Sequence, residues 1–295
     1  MQTFNPQSLK NLYVPLPASH KGQNGKLMII GGSRLFHAAS LWSLKVASRI
    51  VDMVFYSSVP DNNELVKKAK EEFRDGIVVP RDKIQSYIEE ADCVLIGPGL
   101  PRFEGQEASD DDTKELTESL LKKYPQKKWV IDGGSLQVLN PEVLSLLRMP
   151  ILTPHTKEFE LLKLKIKNEK LKIAIQNSKL EEQVKNFAQK YNCVLLLKGR
   201  EDIVCSPFDS VQGETRCVRV SGGNSGMTKG GTGDVLAGLV AALYCKNEAF
   251  LSASAGSYIN KKAGESLYKK VSYYFNASDL ADEIPRVMKE LMIGK

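Results

Sequence analysis

The chain has only three histidines, His20, His37 and His155, and they stand in unrelated contexts. Its five cysteines, at 93, 193, 205, 217 and 245, include no Cys-x-x-Cys pair. Zinc sites are built from clustered His and Cys, so no structural zinc is expected. The odd number and wide spacing instead predict reduced, mostly buried thiols in a cytoplasmic protein. Long hydrophobic runs are also missing: the longest helical one, near 235–245, is too short to span a bilayer, so no membrane partner is expected. The opening Met-Gln-Thr-Phe-Asn-Pro has neither the charged nor the apolar region of a signal peptide. There is no Gly-x-Ser-x-Gly elbow and no Walker-A lysine pattern. Gly97-Pro98-Gly99 is a lone Gly-x-Gly, without the third glycine and later acid of a dinucleotide fingerprint, which argues against a Rossmann reading.

What is present is an ordinary globular composition, 42% hydrophobic and 26% charged over 295 residues, enough for a sizeable core. The net charge of +6 suits anionic small molecules without demanding nucleic acid. Much of the lysine lies in 157–190, in segments such as Lys163-Leu-Lys-Ile-Lys167 and Lys170-Leu-Lys172. No aromatic interleaves those segments to stack on bases, so they read as a solvated helix or strand face.

Short apolar runs at 26–30, 51–56, 76–79, 93–96, 129–131, 151–153 and 194–197 alternate with helical patterns at 39–50, 63–73, 113–123 and 180–190. This is the signature of βαβ units around a mostly parallel sheet, and the near-continuous apolar strands fit a sheet covered on both faces. Two further runs, 202–206 and 215–220, flank a turn at 207–210 and predict an antiparallel hairpin at one edge of the sheet. Beyond the loop at 224–234 the chain reads as helical over 234–245, 248–269 and 277–291. Residues 104–112 are polar and acidic and read as a surface loop at most, and with no repeat or linker the expectation is one domain over 1–295.

The most informative stretch is 224–245, where Gly230-Gly231-Thr232-Gly233-Asp234 runs directly into an apolar helical pattern. Glycines let a backbone approach a ligand, and unpaired N–H groups at a helix start attract phosphate. Asp234 is also a favoured N-cap type, but a cap needs none of the surrounding glycines at 222, 223, 226, 230, 231 and 233. The reading is an anion site formed by Gly231, Thr232 and Gly233, with Asp234 placed to take a proton from a hydroxyl.

Other polar and glycine-rich motifs fall at strand ends, where ligands of open α/β sheets bind. They are Gly31-Gly32-Ser33, Gly97-Pro98-Gly99-Leu100, Asp132-Gly133-Gly134, Thr153-Pro154-His155 with Glu158, and Lys198-Gly199. Together they describe a cleft along one rim. Each has a plainer reading: tight turns for the first two, a helix cap for Asp132, and a capping partnership for His155 and Glu158. Lys198 is either a solvated charge or a phosphate ligand.

In order and spacing these motifs resemble the ribokinase-like superfamily, and within it the NAD(P)H-hydrate dehydratases. The resemblance runs from His20-Lys21-Gly22 to Ile284-Pro285 and is most specific at Thr153-Pro154-His155, Leu197-Lys198-Gly199 and Gly223-Asn224 through Asp234 to Gly238. It implies a three-layer α/β/α sandwich with a mostly parallel central sheet. It also implies repair of hydrated NADH or NADPH, (6S)-NAD(P)HX, at the expense of ADP or ATP, with Mg²⁺ on the phosphates. By the same resemblance Asp234 is the base, and Lys198, Gly199, Arg200, Glu201, Asp202, Asn224 and Gly233 hold the nucleotide. Ala39, Gly99, His155 and Asp234 meet the substrate, no protein ligand set for a metal is assigned, and a homo-oligomer is expected. The chain departs from the family's pattern at Ala38, Pro101 and Gly133-Gly134, mostly on the substrate side. Its length leaves no room for the epimerase domain often fused to this family. The alternative on the same fold is a small-molecule kinase acting on a vitamin-precursor alcohol.

Overall fold

Successive side chains of a strand point to opposite faces of its sheet, and here both sets are apolar. In β2 (Lys26–Ile30), Leu27 and Ile29 enter one core while Met28 and Ile30 enter another. The same division recurs in β5 (Cys93–Ile96), where Cys93 and Leu95 oppose Val94 and Ile96, and in β8 (Val194–Leu197). Such strands must be covered twice. The computed structural model, which describes residues 1–69, 71, 74–102, 111–207 and 215–293, has that arrangement.

Among the described residues the remaining strands are β1 (Gln2–Thr3), β3 (Met53–Ser57), β4 (Ile77–Val78), β6 (Lys128–Ile131), β7 (Ile151–Leu152), β9 (Asp202–Ser206) and β10 (Arg216–Val220). They form one sheet in the order β1-β10-β9-β8-β7-β6-β5-β2-β3-β4. From β8 to β4 every pairing is parallel, while β9 runs antiparallel to both β8 and β10. One face is covered by α1 (His37–Ala47), α9 (Thr232–Lys246), α10 (Ala249–Val271) and α11 (Ala277–Met292). The other carries α3 (Ile84–Glu90), α4 (Thr113–Lys123), α5 (Gly133–Val138), α6 (Thr156–Leu164), α7 (Glu169–Gln176) and α8 (Leu180–Lys190). The three-layer α/β/α sandwich is therefore present. Each fully buried Leu, Ile or Phe of these two cores contributes about 1.5–3 kcal/mol relative to exposure.

Two expectations need correction, and others lie partly outside the described residues. The β9–β10 hairpin is not the sheet edge, because the amino-terminal β1 pairs outside it, Gln2 with Val218 and Thr3 with Arg219. Its turn falls largely at 208–214, outside the described residues, as does most of the acidic 104–112 segment. The helical pattern at 63–73 corresponds to α2 (Pro60–Ala69), and residues 70, 72 and 73 lie outside the described set. Lastly, the thiols are not all reduced. Cys205 and Cys217 face each other across the hairpin register and form a disulfide, while Cys93, Cys193 and Cys245 are free and buried. Sequence spacing hid this pair because antiparallel pairing brings together residues 12 apart. Cysteine usage therefore no longer argues for a reducing compartment.

Titration of the unreduced protein with a thiol reagent in denaturant should find three reactive cysteines of the five. Five would remove the Cys205–Cys217 bond from this description.

Candidate active site

Parallel pairing from β8 through β7, β6 and β5 to β2 brings five strand ends to one rim, as the motif positions required. At the centre of that rim lies an ion pair. Lys198, just past β8, donates from Nζ to Asp132 Oδ1 at 2.9 Å, and Thr153 Oγ1, just past β7, donates to the same oxygen at 2.7 Å. The Asp132 side chain is 3% exposed and that of Lys198 18%. Asp132 makes no side-chain cap to α5, so of its two sequence readings the plain helix cap is the wrong one.

The glycine-rich loop enters α9 from beside this pair. Gly231 has φ +94°, a left-handed conformation that suits glycine, and its α-carbon is hemmed in by the Trp42 ring and Ala277. Gly230 faces open space, with no heavy atom within 4 Å of where a side chain would begin. The same construction at Gly233 lies 3.4 Å from Lys198 Nζ, so the cation reaches the mouth of the loop. Asp234 follows in the first turn of α9, its backbone carbonyl held by Ser43 Oγ of α1 at 2.8 Å. Amide donors, a helix N-terminus, an ammonium and a carboxylate thus converge.

Charge balance at Asp234 is tilted. Burial, followed by the negative charges of Asp132 and Glu158, pushes its carboxyl up to about 7, against the opposing pull of Lys198. For Lys198 the balance runs the other way. Burial alone would make the ammonium easier to deprotonate, but Asp132, Glu158 and Asp234 outweigh it and raise its pKa.

His155 is the N-cap of α6. Its Nδ1 accepts the Glu158 N–H at 3.2 Å, and Glu158 Oε2 accepts the His155 N–H at 2.9 Å, a reciprocal capping box. Because Nδ1 accepts, the neutral ring carries its proton on Nε2, which lies 3.5 Å from Glu158 Oε1. His155 also bridges to Lys198 through the backbone. It is a donor here, already oriented.

A cleft of about 990 Å³ opens beside these groups, lined by His155, Lys198 to Asp202, Asn224, Thr232 and Gly233. The structure gathers all seven of the expected nucleotide residues here but uses several internally. Asp202 Oδ1 accepts the Gly199 N–H at 2.9 Å, its Oδ2 accepts from Ser257 Oγ at 2.7 Å, and it pairs with Lys261 at 3.2 Å. Asn224 donates to the Gly264 carbonyl and accepts from the Gly226 N–H. Glu201 accepts from Ser221, and Arg200 is exposed at the lip. Ala39 and Gly99 lie against each other, apart from this cleft, on the side of α1 and the β5 end. The departure at Gly134 is built in: a β-carbon there would clash with the Leu100 carbonyl. Sequence reasoning missed Trp42, Lys261 and Ser257, which carry no motif and reach the site only because α1 and α10 pack beside it.

A family model described as NAD(P)H-hydrate dehydratase matches residues 27–286. The chain belongs to the NAD(P)H-hydrate dehydratase family. It is 36% identical over 279 residues to the bifunctional NAD(P)H-hydrate repair enzyme Nnr of Methanocaldococcus jannaschii, covering 92% of this chain and 49% of that protein. It is 33% identical over 289 residues to the ADP-dependent (S)-NAD(P)H-hydrate dehydratase of Nitrosopumilus maritimus, covering 92% and 91%. The chain spans about half the length of several bifunctional curated relatives that it matches. In fold it is similar to a ribokinase-like superfamily protein from Enterococcus faecalis, with a TM-score of 0.80, 22% identity and coverage of 99% and 96%. It is also similar to the ADP/ATP-dependent NAD(P)H-hydrate dehydratase of Bacillus subtilis co-crystallised with ATP/Mg²⁺, with a TM-score of 0.76, 21% identity and 98% coverage of each. The fold of this family member is ribokinase-like.

A raised carboxyl pKa means that the fold holds an extra proton between the ordinary value near 4 and about 7. Stability therefore falls as pH rises through that window, and above it the full penalty of the ionised carboxylate remains. Asp234→Asn in the family member should raise Tm by roughly 3–6 °C at pH 8 and leave it unchanged near pH 4. Equal Tm values at both pH values would contradict the buried-charge description.

Proposed function

We propose that this chain catalyses nucleotide-dependent dehydration of (6S)-NADHX or (6S)-NADPHX, consuming ADP (or ATP) and giving AMP (or ADP), phosphate and NADH or NADPH. The observation that carries the reading is Asp234: a carboxylate with proton affinity near neutrality, in the first turn of α9, beside a glycine loop and a buried lysine. A base is most useful when its pKa lies near the working pH.

In this reading the substrate hydroxyl gives its proton to Asp234 as its oxygen attacks the terminal phosphorus, and the bond from phosphorus to the departing nucleotide breaks. Amides of Gly231–Gly233 and the Lys198 ammonium take up the charge of the transferring group, which is most of what phosphoryl transfer asks of a protein. Phosphate then leaves the ring carbon, and loss of a proton from the neighbouring carbon restores the double bond. The cleft of Lys198–Asp202 and Asn224 takes the nucleotide, Ala39 and Gly99 lie on the substrate side, and His155, which lines the cleft, meets the substrate from there. The His155 ring N–H serves as a hydrogen-bond donor rather than a base. No group of three His, Cys, Asp or Glu among the described residues is arranged to hold a metal. Mg²⁺, if bound, would be carried chiefly by the nucleotide's phosphates and would neutralise part of their charge. Cytoplasmic location and a homo-oligomeric state belong to the same reading and rest on family likeness; no described helix is long and apolar enough to cross a membrane.

Incubation with hydrated NADH and Mg²⁺, with ADP and ATP in parallel, should restore the absorbance of reduced nicotinamide and release one phosphate per turnover. Asp234→Asn should lower that rate by about 10²–10⁴-fold while nucleotide binding persists. A stable phosphorylated product would favour the small-molecule kinase instead. Nucleotide binding without turnover by the unaltered protein would remove the enzymatic reading.

A further inference from the structure

Lys229 immediately precedes the Gly230–Gly233 loop, where a lysine would ordinarily be read as a phosphate ligand. Its ammonium points elsewhere. Nζ donates to the backbone carbonyls of Tyr273 and, at 2.6 Å, Phe275, and lies 5.4 Å from the Phe275 ring centroid. Both carbonyls belong to the connection between α10 and α11. The Lys229 backbone is equally engaged, because its carbonyl accepts from Thr232 Oγ1 at 2.9 Å and from the Thr232 N–H at 3.4 Å. The lysine is thus the point at which the turn into α9 is fastened to a neighbouring connection.

Two further contacts join the same parts. The Phe275 ring packs on Gly226, and Ala277, at the start of α11, packs on Gly231. From the other side the Trp42 ring rests on Gly231 while its Nε1 donates to Ser278 Oγ at 3.1 Å. Lys229 is the charged fastening in this set, and it acts next to Gly230, where a β-carbon would meet nothing within 4 Å.

We infer that Lys229 is a positioning residue: with its ammonium tied to the α10–α11 connection and its carbonyl held by Thr232, it keeps the amides of Gly230–Gly233 in the geometry needed by the transferring phosphoryl group, without touching that group. This rests on the reading of the loop under Proposed function. Amides aimed at a developing charge lose effect steeply when displaced, whereas ground-state nucleotide binding draws on the whole cleft.

The test compares Lys229→Met, which keeps the apolar stem, and Lys229→Arg, which keeps the charge and donors, with the unaltered full chain. Steady-state kinetics with hydrated NADH and ADP is measured beside amide hydrogen exchange of the 226–233 loop. Lys229→Met should lower kcat by about 10–100-fold, change KM for ADP by less than about threefold, and speed exchange in the loop. Lys229→Arg should recover most of the lost kcat. A raised KM with kcat preserved would overturn the inference and make the ammonium a nucleotide ligand. Unchanged kinetics and exchange would overturn it as well. If the unaltered chain fails to turn over hydrated NADH, the functional reading falls, and the exchange result alone then decides the anchor: faster exchange supports it and equal exchange overturns it.

Discussion

Much of this structure's chemistry depends on one buried contact, the Asp132–Lys198 ion pair. Taking two charges out of water is expensive, and a pair of this kind often adds little net stability. Here the expense is moderated by a further donor, since Thr153 Oγ1 shares the oxygen that accepts from Lys198. The contact exists only because β6, β7 and β8 pair in parallel register, which places the residues after each strand on one rim. The pair fixes a cation beside Gly233 and a negative charge near Asp234 at once. The pair thus bears on the electrostatics of the loop and of Asp234 directly.

This arrangement needs a loop that stays still. The apolar α9 is buried along almost its whole length against the sheet, α1 and α10, so its first turn is carried by the core. Trp42, Ala277 and Lys229 then fasten the residues in front of it from two directions. The disulfide-linked β9–β10 hairpin contributes similarly, since its rim end opens into residues 199–202 on one side and 221–224 on the other, both lining the cleft. Rigid elements thus deliver each chemical group, and glycines leave the space in which a phosphate can sit.

Local patterns in the chain made most of the fold legible. Near-continuous apolar runs in β2, β5 and β8 announced a sheet covered on both faces, and glycine-rich segments after strands located the rim. What stayed hidden depended on partners distant in sequence. Nothing in Gln2-Thr3 shows that it closes the sheet beyond β10, and nothing in the spacing of Cys205 and Cys217 shows that a hairpin register unites them. Asp132 offered a cap or a site with equal plausibility, because caps and ion pairs draw on the same residue types. Asp202, expected at the nucleotide, proved to spend both oxygens on Gly199 and Ser257. Lys261 looks like an ordinary surface lysine, and Lys229 like a phosphate ligand, until helices α10 and α11 are in place.

The central claim is that burial and the Asp132–Lys198 pair together set the proton affinity of Asp234. The most direct measurement is a ¹³C NMR titration of aspartate carboxyls, with the Asp234 signal assigned by its loss in Asp234→Asn. The account predicts a midpoint of about 7 in the unaltered protein. It should fall in Asp132→Asn, where a negative neighbour is removed, and rise in Lys198→Met, where the opposing cation is removed. A midpoint near the ordinary aspartate value of about 4, unmoved by either substitution, would contradict it.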